Sequence, residues 1–512
     1  MKQILSTKTK TIHKKLKPLR PFLALPLILF MAFGLISIAS RPESQRVDGV
    51  YGIYDLRRFD FENYIAETRG QLEYIPNALL TPDEFAAWDG DIQIGWVNHY
   101  QIYATSRMRI YVEDGKWYTF TRYSIDYAQR LYVNGEWLLD IGRPGATPEE
   151  SIPNTGRITL TAQGMREESS SGDYVYVIEI VQQSSNHVHQ SGGSHPWWYI
   201  GTGTTISDWV RAEQYQTNII LGSFLMLALL FFVLFFTHGQ NKVTLYFAMF
   251  CITWFMRMGV TGGRVFTVIL PWLDWHTKFR IEYIAIPISA VLTLAIVNVL
   301  FKDKNKKPIL HKPVLFALYG ISAVFAGMFI FLPTIIMRGI LDYVLIVYGL
   351  AIAWLFVCLF IIQPVRQARS KHKIYSAEQG IFLSGMVLFL LAALTDFGYF
   401  QAIVYMPPFH LTGVAMLVFA LCEAAAVFLS AMKDVEETRA VAQRKTEETE
   451  FFRKMSHNLR TPLTKVSTNI QTAKRRPEEA AELLEKSQAE IMNIAAMIDN
   501  ALQDGDESEV RR

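Results

Sequence analysis

The chain has 512 residues, 51% of them hydrophobic and 13% aromatic, and its 50 basic and 47 acidic side chains leave a formal net charge of +3. The apolar residues fall in long uninterrupted runs, so this is a membrane protein rather than a soluble one. The basic residues gather at segment ends, where they report topology and not nucleic-acid binding.

The first run, PFLALPLILFMAFGLISIAS at 21–40, follows Lys2, Lys8, Lys10, Lys14, Lys15, Lys17 and Arg20. That basic flank suits either a cleaved signal peptide or an uncleaved anchor. Small residues near Ser37 and Ala39 permit cleavage, whereas the run is long for a signal peptide.

From 41 to 214 the pattern changes to alternation and turns, as in HYQIYATSRMRIYVEDGKWYTFTRY, RLYVNGEWLLDIG, RITLTAQG and DYVYVIEIVQQ. Alternating apolar and polar residues bounded by Asp-Gly and Asn-Gly turns predict antiparallel hairpins, and pieces of this spacing fit a β-sandwich. All three cysteines, Cys251, Cys358 and Cys422, lie in apolar runs, which excludes a disulfide framework in this domain. His187, His189 and His195 match no standard ligand spacing, and Gly192 and Gly193 make their segment a loop, so no metal site is expected. Trp96, Trp117, Trp137 and Trp197 offer flat faces for a sugar ring, but tryptophans in a sandwich are more often core, and that reading is preferred.

A spanning helix needs about 20 apolar residues to cross roughly 30 Å of hydrocarbon. Seven further runs qualify, near 217–237, 243–260, 281–301, 313–332, 338–362, 379–398 and 409–431. The loops KDKNKKPILHK (302–312) and QPVRQARSKHKIY (363–375) are strongly basic, whereas 397–410 has no Lys or Arg, so the basic loops are expected on the cytoplasmic side. Residues 41–214 then lie outside and the C-terminus inside, and eight crossings from a basic inner N-terminus agree with that. Arg257, Glu282, Asp342, Asp396 and Glu423 are the charges in or near the spans. Each costs a few kcal/mol at the bilayer centre, so most are expected to sit near span ends and snorkel. Arg257 and Asp396 are expected to pair. Glu423 lies well inside the last run, and whether it faces a partner in the bundle is open.

After Met432 the sequence KDVEETRAVAQRKTEETEFFRKMSHNLRTPL predicts a helical connector continuing the last span. A second helix starts near Glu478, after a break at 475–477, and places Leu484, Ser487, Ile491, Ile494, Ile498 and Ala501 on a heptad seam. Two antiparallel helices of this kind leave an apolar face exposed, so they are expected to dimerise as a four-helix bundle. The expected domains are 1–40, basic N-terminus and signal peptide or anchor; 41–214, outer β-sandwich; 215–431, seven-helix transmembrane bundle; 432–450, connector; 451–504, helical hairpin; and 505–512, tail.

RLYVNGEWLLDIG, NHVHQSGG at 186–193, the pair Trp197 and Trp198, and the seven following runs together resemble the bacterial seven-transmembrane receptors with diverse intracellular signalling modules. That resemblance implies a jelly-roll-like outer domain and, by fold analogy alone, a carbohydrate-like ligand. Ser456-His457-x-Leu459-Arg460-Thr461-Pro462-Leu463 is similar to the phosphoacceptor box of sensor histidine kinases, which implies a response-regulator partner. Pro462 inside a helix costs about 3 kcal/mol and removes the bond to the Asn458 carbonyl, so a local disruption beside His457 is expected.

His457 is the expected phosphoryl carrier, because a neutral imidazole has a ring nitrogen free to attack the terminal phosphate of ATP. Thr461, four residues on, shares its face, where its hydroxyl is placed to position a water against an aspartyl phosphate. Asn458 stands where the family usually has Glu or Asp; an amide accepts a hydrogen bond but takes no proton, so acceptor function is favoured over fast autophosphorylation. After His457 the only glycine is Gly505, which leaves no glycine-rich loop for a nucleotide. The chain is therefore expected to bind no cofactor itself: it is either a truncated histidine kinase or a protein served by an ATP-binding kinase domain in trans. The preferred reading is a two-component membrane receptor, with a phosphatase or regulator of a partner kinase, and a transporter, as alternatives.

Overall fold

The computed structural model describes residues 26, 28–32, 42–95, 102–122, 127–168, 172–188, 197–237, 241–261, 263–301, 312–363, 375–400 and 411–510. They divide into two compact units, Met1–Ser430 and Ala431–Arg512.

The first unit opens with two β-sheets. In one, β1 (Ser44–Gly49), β3 (Ile65–Gly70), β13 (Tyr199–Gly201), β7 (Trp117–Arg122) and β10 (Ile158–Gln163) are neighbours in that order. The other runs β5 (Gln93–Gly95), β4 (Leu72–Pro76), β6 (Tyr103–Val112), β12 (Tyr174–Ser185), β8 (Ala128–Val133) and β9 (Glu136–Ile141), with β11 (Met165–Glu168) on β12 and β2 (Ile53–Asp55) on β6. Period-two alternation sets the faces: Ile158, Leu160 and Ala162 of β10 are buried while Thr159, Thr161 and Gln163 are exposed. Buried residues of both sheets, among them Met108, Ile110, Phe120, Leu160, Ile178 and Trp198, form one cluster, so the two layers share a core. A short helix, α1 (Pro82–Ala86), starts at a capping box between Thr81 and Glu84.

The two turn signals resolve differently. Asn134 and Gly135 take positive φ, 53° and 86°, and close the β8–β9 hairpin as expected. Asp114-Gly115 does not close a hairpin: both edges of β6 are occupied, by β4 and β12, so β7 crosses to the other sheet and pairs with β10 and β13.

Helix α2 (Gly203–Thr237) begins well before its apolar run, and its first turns pack against the β-domain. Ile206 and Trp209 are buried with Ile65 and Tyr199, the Tyr199 and Trp209 rings lie 4.3 Å apart, and Arg157 forms an ion pair with buried Glu213. The helices that follow are α3 (Lys242–Val260), α4 (Val265–Ile269), α5 (Trp275–Leu300), α6 (Lys312–Phe331), α7 (Thr334–Val357), which continues as a π-turn over Cys358–Ile362, and α8 (Ala377–Phe400). Helix α9 (Leu411–Arg475) contains the last apolar run.

Among the described residues six helices are long and apolar enough to cross a membrane: α2, α3, α5, α6, the stretch Thr334–Ile362 and α9; α8 adds a shorter apolar stretch, Ala377–Ala392. The chain is a multi-pass membrane protein. Of the first apolar run, Leu29 and Phe30 are described and pack against Ile381, Val418 and Cys422. Most of the basic loops at 302–312 and 363–375, and of the segment 397–410, lies outside the described residues.

The charges in the spans are satisfied unequally. Arg257 donates to the Glu282 carbonyl at 3.1 Å and lies over the Trp254 ring, while the side chain of Asp396, its expected partner, is outside the described residues. Asp342 pairs with Arg338 one turn earlier, at 3.1 Å. Glu423 is fully buried, and among the described residues neither carboxylate oxygen has a hydrogen-bond partner. None of the three cysteines forms a disulfide, and all three are buried.

Candidate functional site

In the second unit, α9 runs to Arg475, a 3₁₀ turn spans Pro477–Glu479, and α10 covers Ala480–Val510. Pro477 cannot continue a helix ladder, which places the break where the sequence predicts it. Lys465 bridges to Glu490 at 2.9 Å across the two helices, so α10 returns antiparallel to α9. Pro462, Val466 and Ser487 are buried in the seam between them.

His457, Asn458 and Thr461 all lie on α9, and all three are exposed. Four-residue spacing puts His457 and Thr461 on neighbouring positions of one helix face, with an imidazole open to an incoming phosphoryl group. The helix passes through Pro462 without a break, so the disruption is confined to one hydrogen bond. Pro462 still leaves the Asn458 carbonyl without an amide donor, but its ring is buried against the second helix, and Thr464 Oγ1 donates to the Arg460 carbonyl at 2.8 Å, so the surrounding turns hold.

The seam differs from the sequence expectation in part. Ser487 is buried and Ile494 and Ile498 are half-buried, but Leu484 and Ile491 are 55% and 53% exposed. With Leu463 and Ile470, also exposed, they form an apolar face unused by the hairpin itself. One and two turns beyond Thr461, Thr464, Lys465, Thr468, Asn469, Lys486 and Glu490 line a polar groove between the helices. The sequence analysis does not anticipate that groove; its signal is the set of polar residues on the α9 positions that follow the box.

In the β-domain, His187 is buried and its Nε2 lies 3.0 Å from the Gly145 carbonyl, a structural contact, while His189 and His195 lie outside the described residues. No group of three or more metal-ligating side chains occurs among the described residues. The core reading of the tryptophans fails at Trp117 and Trp137, which are 64% and 61% exposed; Trp197 is partly exposed beneath Arg69, Trp198 takes the core position, and Trp96 is not described. Trp137 Nε1 donates to Asp140 at 2.9 Å, and Arg130 grips the same carboxylate through two nitrogens at 2.9 and 2.8 Å. Hydrogen bonding to Arg130 holds the Asp140 carboxyl below the usual carboxylate range.

A membrane-embedded helical domain followed by an exposed histidine on an antiparallel helix pair defines the class: a membrane signalling protein of two-component type. The comparisons agree with this class, residues 213–428 matching the family model described as 7TM diverse intracellular signalling and residues 447–507 matching that of the His Kinase A (phospho-acceptor) domain. Two segments of the chain are thus similar to a 7TM signalling domain and to a histidine-kinase phosphoacceptor domain, and the second match contains His457, Asn458 and Thr461. A comparison with curated proteins finds no match.

Proposed function

We propose that the protein is a receptor in the cytoplasmic membrane that senses an extracytoplasmic ligand with its β-domain and controls phosphoryl transfer at His457 to the aspartate of a response regulator. Residues 41–214 lie outside and the C-terminus in the cytoplasm, as the basic loops at 302–312 and 363–375 require. The observation that carries the reading is His457, exposed on a two-helix hairpin within the segment similar to phosphoacceptor domains.

The residues divide the chemistry. His457 attacks the terminal phosphate of ATP, ADP leaves, and the group is held as a phosphoramidate; Thr461 orients a water for hydrolysis of the regulator's aspartyl phosphate to carboxylate and phosphate; Asn458 accepts a hydrogen bond from the imidazole without taking its proton. The exposed face of Leu463, Ile470, Leu484 and Ile491 is covered by a second copy, completing a four-helix bundle. Residues 458–512 contain no glycine-rich loop, so they do not themselves hold ATP, and His457 takes its phosphoryl group from an ATP-binding kinase domain. For the β-domain, a jelly-roll-like sandwich with a carbohydrate-like ligand is supported by Trp137, whose exposed ring stands beside the Arg130–Asp140 pair and offers stacking next to fixed polar groups.

The test is phosphorylation with labelled ATP. Protein alone is expected to remain unlabelled, and addition of a compatible ATP-binding kinase domain to label it. His457→Gln abolishes the label and Thr461→Ala spares it. Acid-labile label on His457 when residues 1–512 meet ATP alone shows that these residues hold ATP themselves and refutes that part of the reading.

A further inference from the structure

Glu423 lies in the apolar first part of α9, fully buried, and among the described residues neither carboxylate oxygen has a hydrogen-bond partner. The residues that pack this part of α9 are mainly aromatic and aliphatic. Phe419, one turn earlier, packs on Phe250 of α3 at 6.4 Å and on Phe382 and Phe389 of α8 at 5.6 and 5.9 Å. Ala420, Ala424, Ala426 and Val427 are buried in the same cluster. Gly385 of α8 admits Cys422 so closely that an added Cβ would stand 2.7 Å from the cysteine's Cβ. The titratable neighbours are thiols, Cys422 beside it on α9 and Cys251 of α3 buried in the cluster that packs on this part of the helix, and no described cationic side chain bonds its oxygens.

A carboxylate stripped of water and left without a counter-charge costs several kcal/mol more than its neutral acid. Two remedies exist, a metal cation or a proton. A hard cation requires several oxygen ligands, and in membrane bundles these come from unwound helices whose carbonyls are free. Both α3 and α9 are unbroken at this depth, and the neighbours supply thiols, methyls and rings. The proton alone fits.

We propose that Glu423 is a proton-binding site in the core of the bundle: it carries its proton while α9 is packed against α3 and α8, and gives it to water only when that packing opens. On opening, the acid O–H bond breaks, an entering water takes the proton, and the carboxylate is left hydrated. Closure requires the proton back.

Infrared spectroscopy of the full-length protein in lipid bilayers tests this. At neutral pH the wild-type spectrum minus that of Glu423→Gln is expected to show a protonated-carboxyl C=O band, shifted by isotope-labelled glutamate and slow to exchange in heavy water. Glu423→Leu supplies the same subtraction if the glutamine variant fails to assemble, and the label assigns the band in wild type without any substitution. A difference that appears in the carboxylate bands instead, or a labelled acid band that exchanges at once, overturns the proposal.

Discussion

The contact between the β-domain and α2 invites a quantitative test. Arg157 and Glu213 form an ion pair in which the side chains are only 22% and 7% exposed, with Trp209 beneath the guanidinium at 5.9 Å. Glu213→Ala leaves a largely buried guanidinium without its carboxylate, a change that costs roughly 3–5 kcal/mol for fully buried pairs. The residual exposure of Arg157 places the expected loss at the low end, about 3 kcal/mol. At about 2–4 °C per kcal/mol for a domain of this size, the β-domain's thermal midpoint should fall by roughly 6–12 °C. The assay is thermal unfolding of the full-length protein in lipid nanodiscs, followed by tryptophan emission, with Lys116→Ala at an exposed ion pair as a control that leaves the midpoint unchanged. The double variant Arg157→Ala, Glu213→Ala should lose much less than the sum of the single losses. Additivity within about 0.5 kcal/mol refutes the claim that this pair ties the domain to α2.

Three further outcomes are expected. Cysteine placed at Lys306 should be labelled from the cytoplasmic face only, and labelling from the outer face refutes the assigned orientation. Asp140 is depressed by Arg130, so its folded state loses its proton more readily than the unfolded chain: the stabilisation is present at neutral pH and vanishes as pH falls through the folded value. Wild type should therefore exceed Asp140→Asn in thermal midpoint by a margin of about 1 kcal/mol or less at neutral pH, closing in acid; a margin that grows on acidification contradicts the assignment. Ile491→Glu should abolish cross-linking between copies while leaving helix content intact, whereas unchanged cross-linking shows that the second copy does not cover that face.

The spans were legible because twenty-odd apolar residues in a row have few other uses, and the hairpin break was legible because Pro477 stops a helix. The start of α2 was not, since Thr204 to Asn218 is polar and its helicity comes from Trp209 and Glu213 meeting the β-domain. Asn134-Gly135 read correctly as a hairpin because the turn alone decides it; Asp114-Gly115 misled because strand partners depend on which edges are free. Trp117 and Trp137 show the same limit, residue type giving apolarity and not the side of the strand that faces water. His457, Asn458 and Thr461 stand out in the sequence because the box is contiguous, whereas the groove beside them joins residues from two helices.

The central claim, that His457 carries a phosphoryl group to a response regulator, is tested most directly by transfer. Protein phosphorylated by a kinase domain, freed of ATP and mixed with a response regulator should lose its acid-labile label as the regulator gains an aspartyl phosphate, and His457→Gln should contribute none. Label that stays on the receptor, or that reaches the regulator equally from the His457→Gln variant, contradicts it.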